Sequence, residues 1–316
     1  MSYRPDIKVV DATLRDGGLV NDFFFEDEFV KALYQANIKA GVDYMEFGYR
    51  ASKELFDQAK FGKWKFCDED SLRSIVGTND SDMKIAVMAD VGRTEMSDFL
   101  PAEESVIDLI RVATYIHQIP AAIDMIEQLH SLGYETSVNI MAVSTAKTED
   151  IEQALEMLSQ TSVDVIYLVD SYGSLYPEQI RRLAEKYIEA GEKYGKLIGM
   201  HAHNNQQLAF ANTIEATAVG VSYLDATMSG MGRGAGNCAL ESLLGFLKNP
   251  KYRMIYTLKF VQDYMLPLKE SGVTWGYDIP YLITGILNRH PRSAIAAKKE
   301  RNTNYVEFYK SMWDRD

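Results

Sequence analysis

Two of the chain's five histidines, His201 and His203, stand in the run Met200-His201-Ala202-His203-Asn204-Asn205. Side chains alternate along a strand, so residues two apart face the same way. Two imidazoles converging on one point suit a divalent cation. Asp16, in Thr13-Leu14-Arg15-Asp16-Gly17, offers an oxygen ligand. A two-histidine, one-carboxylate set with open positions fits Mn²⁺, Mg²⁺, Fe²⁺ or Zn²⁺. The plainer alternative is a pair of histidines hydrogen-bonded in a pocket rim. Arg15 precedes the aspartate, and a guanidinium beside a metal would stabilise an enolate oxygen. Its competing use is a surface salt bridge, since the chain has 45 acidic residues.

Other candidates carry less chemistry alone. The segment SGMGRGAGN, residues 229–237, has glycines at 230, 232, 234 and 236. Glycine permits tight turns and close backbone approach, but the segment lacks the lysine of a P-loop. Asn237 at its end lies within reach of a metal or substrate. Glu46, in YMEFGYR, could hold a basic group or simply pair with Arg50 or Arg111. Asp170 and Ser171 follow the apolar run VIYLV. Tyr277, one of 19 tyrosines, reads by itself as a packed aromatic. Cys238 reads as a small buried side chain rather than a nucleophile.

These residues need a scaffold. Eight short apolar runs begin at Ile7, Val42, Met83, Val106, Glu135, Asp164, Leu197 and Val221, and amphipathic stretches alternate with them. Continuous apolar character is expected of parallel strands covered on both faces. The starts are about 31 residues apart, the length of one strand–helix unit. Eight such units predict an α/β fold, a (β/α)8 TIM barrel, over residues 1–249. Residues 250–316 read as a C-terminal helical extension. An open doubly wound sheet is the runner-up, but LRDGGLVND does not fit its phosphate turn. In a barrel, active-site groups sit at the C-terminal strand ends. That is where Arg15, Asp16, Glu46, Asp170, Ser171, His201 and His203 fall.

The formal net charge of −12 argues against a nucleic-acid partner. No run approaches the ~18 apolar residues of a membrane span, and the N-terminus lacks a signal-peptide pattern. Two cysteines cannot build a disulfide framework. The expectation is a soluble cytoplasmic protein, with a homo-oligomer compatible.

Taken together, DATLRDGG, HAHNN and GMGRGAGNCALESLL resemble motifs of the metal-dependent TIM-barrel lyase and aldolase superfamily. Its members include hydroxymethylglutaryl-CoA lyase and isopropylmalate synthase. IRVATY, YLVDSYGSLYPEQI and WGYDIPYLITGILNRH are most similar to its 4-hydroxy-2-oxovalerate aldolase branch. The resemblance implies that Asp16, His201 and His203 bind a divalent metal, with Asn237 matching a ligand used in some branches. The metal implied is Mn²⁺ or Mg²⁺, with Zn²⁺, Co²⁺ or Fe²⁺ as further candidates. Arg15 would stabilise an enolate, Asp170 and Ser171 would line the pocket with Glu46 nearby, and Tyr277 would stand near the reacting hydroxyl. The implied activity is cleavage or formation of a 2-oxo acid aldol, with a 2-oxo acid and an aldehyde as partners.

The departures have consequences. The aldolase branch places a basic histidine three residues after the aspartate, where this chain has Leu19, and another where it has Tyr115. Leucine cannot move a proton. Tyr277, Tyr49, Tyr115 or a metal-bound water would have to act instead, or the substrate differs. An acyl-CoA-dependent condensing enzyme and a non-catalytic metal-binding barrel are the rival readings. The short C-terminus argues against a dehydrogenase partner that receives a channelled product.

Overall fold

A computed structural model describes residues 4–313 of the chain. Eight parallel strands close into a barrel in the order β1 to β8, with β1 paired to β8. The strands are β1 (Lys8–Asp11), β2 (Tyr44–Tyr49), β3 (Lys84–Asp90), β4 (Leu109–Tyr115), β5 (Glu135–Met141), β6 (Val165–Asp170), β7 (Leu197–Ala202) and β8 (Tyr223–Ala226). Each falls within or against one of the eight expected runs.

The helices begin with α1 (Thr13–Gly17), α2 (Asp27–Ala40), α3 (Glu69–Val76) and α4 (Ile119–Ser131). They continue with α5 (Thr148–Ser159), α6 (Pro177–Glu192), α7 (Ala209–Val219) and α8 (Leu240–Leu247). The α2 sequence buries Phe29, Val30, Leu33, Ala36 and Ala40 and stops at Gly41, whose φ of +76° suits the left-handed cap. Gly191 lies buried inside α6 near its C-terminus. A Cβ there would come within 2.9 Å of Ile198 Cδ1 and the Lys196 carbonyl, so its smallness lets helix and strand approach.

Inside the barrel, side chains stack in layers. Val10, Tyr44, Leu109, Val165 and Tyr223 belong to one buried apolar cluster. Two residues further along the even-numbered strands come Glu46, Arg111, Tyr167 and Asp225, a polar layer contributed by alternate strands. Arg111 lies 4.4 Å from the Tyr167 ring centroid.

Beyond residue 250 follow α9 (Met254–Phe260), α10 (Leu266–Glu270), α11 (Ile279–Ile286), α12 (Arg292–Lys299) and α13 (Tyr305–Trp313). Phe260 of α9 packs its ring 5.2 Å from Phe29 of α2. The last three helices form a small core of their own through Tyr281, Ile283, Ala294, Ala297, Phe308 and Met312, joined by Ala235 of the glycine loop. Among the described residues, no helix is long and apolar enough to cross a membrane.

Candidate metal centre and active-site cavity

The chain does not continue as a strand after Asp11. Thr13 donates its hydroxyl to the buried Asp11 carboxylate and accepts the Met228 N–H at 2.8 Å. Asn37 of α2 donates to the other Asp11 oxygen at 2.6 Å. These bonds tie β1, α2 and the β8 exit together, and α1 winds away as a single helical turn. The turn places Arg15 and Asp16 side by side, Nη1 and Oδ1 3.6 Å apart, both buried.

Barrel closure brings α1 against the end of β7. His201 Nε2 stands 3.6 Å and His203 Nε2 3.7 Å from Asp16 Oδ2. One ligand atom from each of the three residues fits within a 4.8 Å group. Both Asp16 oxygens and His201 Nε2 are buried without a hydrogen-bond partner. Three unsatisfied buried ligand atoms converging on one point are costly unless something binds them. Their chemistry fits a divalent cation.

A chain of alternating charges supports this centre from below. Glu46 Oε2 accepts Arg15 Nε at 2.9 Å and Arg111 Nη1 at 2.7 Å. Arg111 Nη2 donates to Asp225 Oδ2 at 2.6 Å, and the same oxygen stands 2.9 Å from His201 Nδ1. With Nδ1 donating to Asp225, the His201 tautomer leaves Nε2 with its lone pair toward Asp16. Arg50 is not a partner of Glu46; it donates to the Cys67 and Asp98 carbonyls instead.

Burial raises the Asp16 carboxyl pKa, but His203, Arg15 and His201 outweigh it and hold the group ionised, well below the usual range. The histidines shift in opposite directions. Burial lowers His203, assisted by Arg233, and Asp16 does not compensate. Burial also lowers His201, but the Asp16 and Asp225 carboxylates outweigh it and raise the group.

Above the trio opens a cavity of about 550 Å³, including its mouth. Arg15, Asp16, His201 and His203 line its floor; Leu19, Tyr115, Tyr172, Arg233 and His290 are among its walls. Ser171 also lines it, its Oγ accepting the Ala142 N–H at 2.9 Å. Asp170 does not. Its carboxylate accepts the Ser174 and Leu175 N–H groups, which shapes the loop after β6. Burial pushes that carboxyl up to about 7 despite these bonds. Glu46 lies beneath the cavity, behind Arg15.

Asn237 is buried at the edge of the trio. Its Nδ2 donates to the Met231 carbonyl at 3.1 Å, and Oδ1 is buried without a partner. A Cβ on Gly232 would fall 2.1 Å from Asn237 Nδ2 and 3.1 Å from Asp16 Oδ2, so only glycine fits there. Tyr277 is 50% exposed and absent from the cavity lining. It precedes α11, whose N-cap Asp278 accepts the Ile279 N–H, and the neighbouring Gly276 donates to the Gly234 carbonyl of the glycine loop at 3.2 Å. The Cys238 thiol is buried and its pKa pushed up to about 12 by that burial, unsuited to nucleophilic work.

Sequence reasoning missed Asp225, Arg233 and His290. Asp225 left a faint signal, a lone charge inside the apolar run of β8. Arg233 and His290 stand inside the quoted segments GMGRGAGNCALESLL and WGYDIPYLITGILNRH, but nothing local marks them as cavity residues, because they reach it from loops.

Known proteins resemble this chain in sequence and in fold. An oxaloacetate decarboxylase of Mycobacterium tuberculosis is 28% identical over 243 residues, covering 76% of this chain and 69% of the relative. A 4-hydroxy-2-oxovalerate aldolase of Pelotomaculum thermopropionicum is 28% identical over 259 residues, covering 82% of this chain and 75% of that one. Among solved structures, the N-terminal domain of a candidate aldolase from Bacteroides vulgatus superposes with a TM-score of 0.77 at 26% identity, over 95% of this chain and 99% of that one. Hydroxymethylglutaryl-CoA lyase from Pseudomonas aeruginosa, at 18% identity and a TM-score of 0.71, shares the fold over 87% of this chain and 96% of its own. A family model described as HMGL-like matches residues 6–262, from before β1 to beyond α9, and the chain therefore belongs to the HMGL-like family.

Proposed function

We propose that this protein is a divalent-metal-dependent carbon–carbon lyase of aldolase type, acting on a 2-oxo acid by way of a pyruvate-type enolate. The observation that carries the proposal is the buried trio of Asp16, His201 and His203, with both Asp16 oxygens and His201 Nε2 unpartnered and the Arg15 guanidinium beside it. The relatives' names point the same way. Decarboxylation of oxaloacetate and cleavage of 4-hydroxy-2-oxovalerate both leave the electron pair of the broken carbon–carbon bond on a pyruvate enolate.

Asp16, His201 and His203 would hold the cation, with the Asn237 carbonyl oxygen available beside them. When bound, it supplies a Lewis acid for the 2-oxo acid's oxygens. Mn²⁺ or Mg²⁺ is the ion proposed, and a cytoplasmic setting belongs to the same reading.

The remaining work falls to the chain's own groups. Arg15 is anchored through Nε to Glu46, so its guanidinium is preorganised at the cavity floor. A fixed cation there stabilises negative charge on the enolate oxygen without reorganising during the reaction. Arg111 neutralises Glu46 from the other side, which prevents that carboxylate from cancelling Arg15 alone. Ser171 and Arg233 shape the wall, Arg233 donating to the Ser171 carbonyl at 2.9 Å.

The test is exchange of pyruvate methyl protons in D₂O, with Mn²⁺, Mg²⁺, Zn²⁺ or Co²⁺ added in turn. Exchange is expected in the wild type with at least one ion, and its loss in Asp16→Asn together with bound metal. No exchange with any ion, or unchanged metal content in Asp16→Asn, would defeat the proposal.

A further inference from the structure

Leu19 stands at the cavity wall where the resemblance to the aldolase branch implies an imidazole, and an imidazole enters the same cavity from near the far end of the chain. Both Leu19 and His290 line it. His290 follows α11 and is held by several contacts. Asn288, two residues earlier, donates to the Ser144 carbonyl at 2.9 Å and accepts the Ser174 hydroxyl at 2.8 Å. Those bonds pin the end of α11 to the loops after β5 and β6. The His290 ring meets the Tyr172 ring edge-on at 5.5 Å. Its Nδ1 accepts the Arg292 N–H at 3.1 Å.

That last bond decides the tautomer. Nδ1 must carry a lone pair to accept it, so the neutral ring bears its proton on Nε2. The same ring therefore offers an N–H donor and no free lone pair. His290 is half-buried, whereas Asp16, His201 and His203 are buried, so it stands at the outer part of the cavity and the ligand trio at its floor.

Resting on the lyase reading above, we propose that His290 is a catalytic hydrogen-bond donor to the distal oxygen of the aldol. It would take the place along the cavity wall that the substitution at Leu19 leaves without an imidazole, but as a donor and not a base. In the addition direction the enolate's terminal carbon forms the new bond to the aldehyde carbon. The carbonyl π pair moves onto the distal oxygen, and a solvent proton completes the hydroxyl. A donor aimed at that oxygen stabilises the charge as it develops. Burial, reinforced by Arg233 and Arg292, pushes the His290 pKa down to about 4, which keeps the imidazole neutral at pH 7. A neutral imidazole acting as an electrophile is an accepted way to polarise a carbonyl.

The experiment compares two reactions in the metal-loaded full-length enzyme. Pyruvate methyl exchange in D₂O involves only the inner end of the cavity. Addition of pyruvate to acetaldehyde uses both ends. His290→Ala is expected to lower the ratio of addition to exchange by about 100-fold, the usual effect of removing one oxyanion donor. His290→Gln keeps an N–H donor and should recover much of that ratio. An unchanged ratio in His290→Ala would overturn the inference. So would His290→Gln matching His290→Ala, because that is the result for a base. Failure of wild-type exchange is a different outcome, and it would overturn the lyase reading on which the inference stands.

Discussion

Asp225 shows how much of the site is built by residues that never touch the cavity. Its Oδ2 receives Arg111 and faces His201 Nδ1, so one buried carboxylate both orients a ligand and balances a buried cation. Asp225→Ala would leave the fully buried Arg111 with Glu46 alone, shared with Arg15. Removing one partner of such a pair costs on the order of 3 kcal/mol. His201 would also lose the contact that sets its tautomer, which weakens metal affinity by roughly 10- to 100-fold. Urea denaturation and metal titration of the variant measure the two effects separately. Unaltered metal affinity would mean that His201 is oriented by something other than Asp225. The Asp225 signal was weak in the sequence because a lone aspartate in an apolar run has many explanations. Arg15 and Asp16 were legible because they stand next to each other at an expected strand end.

Among the elements, the seam between β1 and β8 governs the site. Strand register pairs Asp11 of β1 with Ala226 of β8, and Gly199 and Met200 of β7 with Tyr223 and Leu224 of β8. One further step along β7 carries His201 level with Asp225. Asp11 anchors the seam through Thr13 and Asn37. Burial raises its carboxyl to about 6, against an ordinary value of 3.8, although those hydrogen bonds oppose the shift. A raised native pKa means that the folded state holds the proton more tightly than the unfolded chain. The stability from this group is complete below about pH 4 and is lost as pH rises through about 6. Two units correspond to about 3 kcal/mol. Wild-type denaturation midpoints should fall over this window relative to Asp11→Asn, and parallel pH profiles would show that Asp11 does not titrate there. The apolar run from Ile7 predicts a strand, but the chain turns helical after Asp11, where Thr13 bonds back to Asp11 and across to Met228 beyond β8.

For the whole molecule, a formal charge of −12 surrounds a cavity whose charged walls include Arg15 and Arg233. The acidic exterior does not choose the substrate; the inner cations do. Metal binding to the folded state alone adds about 2.7 kcal/mol at a hundredfold excess over Kd. For a chain of this size that is a rise in Tm of about 5 °C. Melting with Mn²⁺ should therefore exceed melting after chelation, and Asp16→Asn should lose the difference. Identical melting of wild type in both conditions would leave the trio without a bound ion.

The amino-acid sequence by itself determined the kind and order of the elements. Strand and helix periodicities are local, so runs such as VIYLVD, the glycine at 41 and the His-x-His pair carry their meaning in a few neighbours. It also determined which residue types were available, including the leucine at 19. Only the tertiary structure decided who meets whom. Barrel closure puts Asp16 beside residues 185 and more positions away, the register sets His201 against Asp225, and the packing of α11 delivers His290 to a cavity that begins at residue 15. Such contacts depend on closure, register and docking, which sum over the whole chain and leave no local pattern to read.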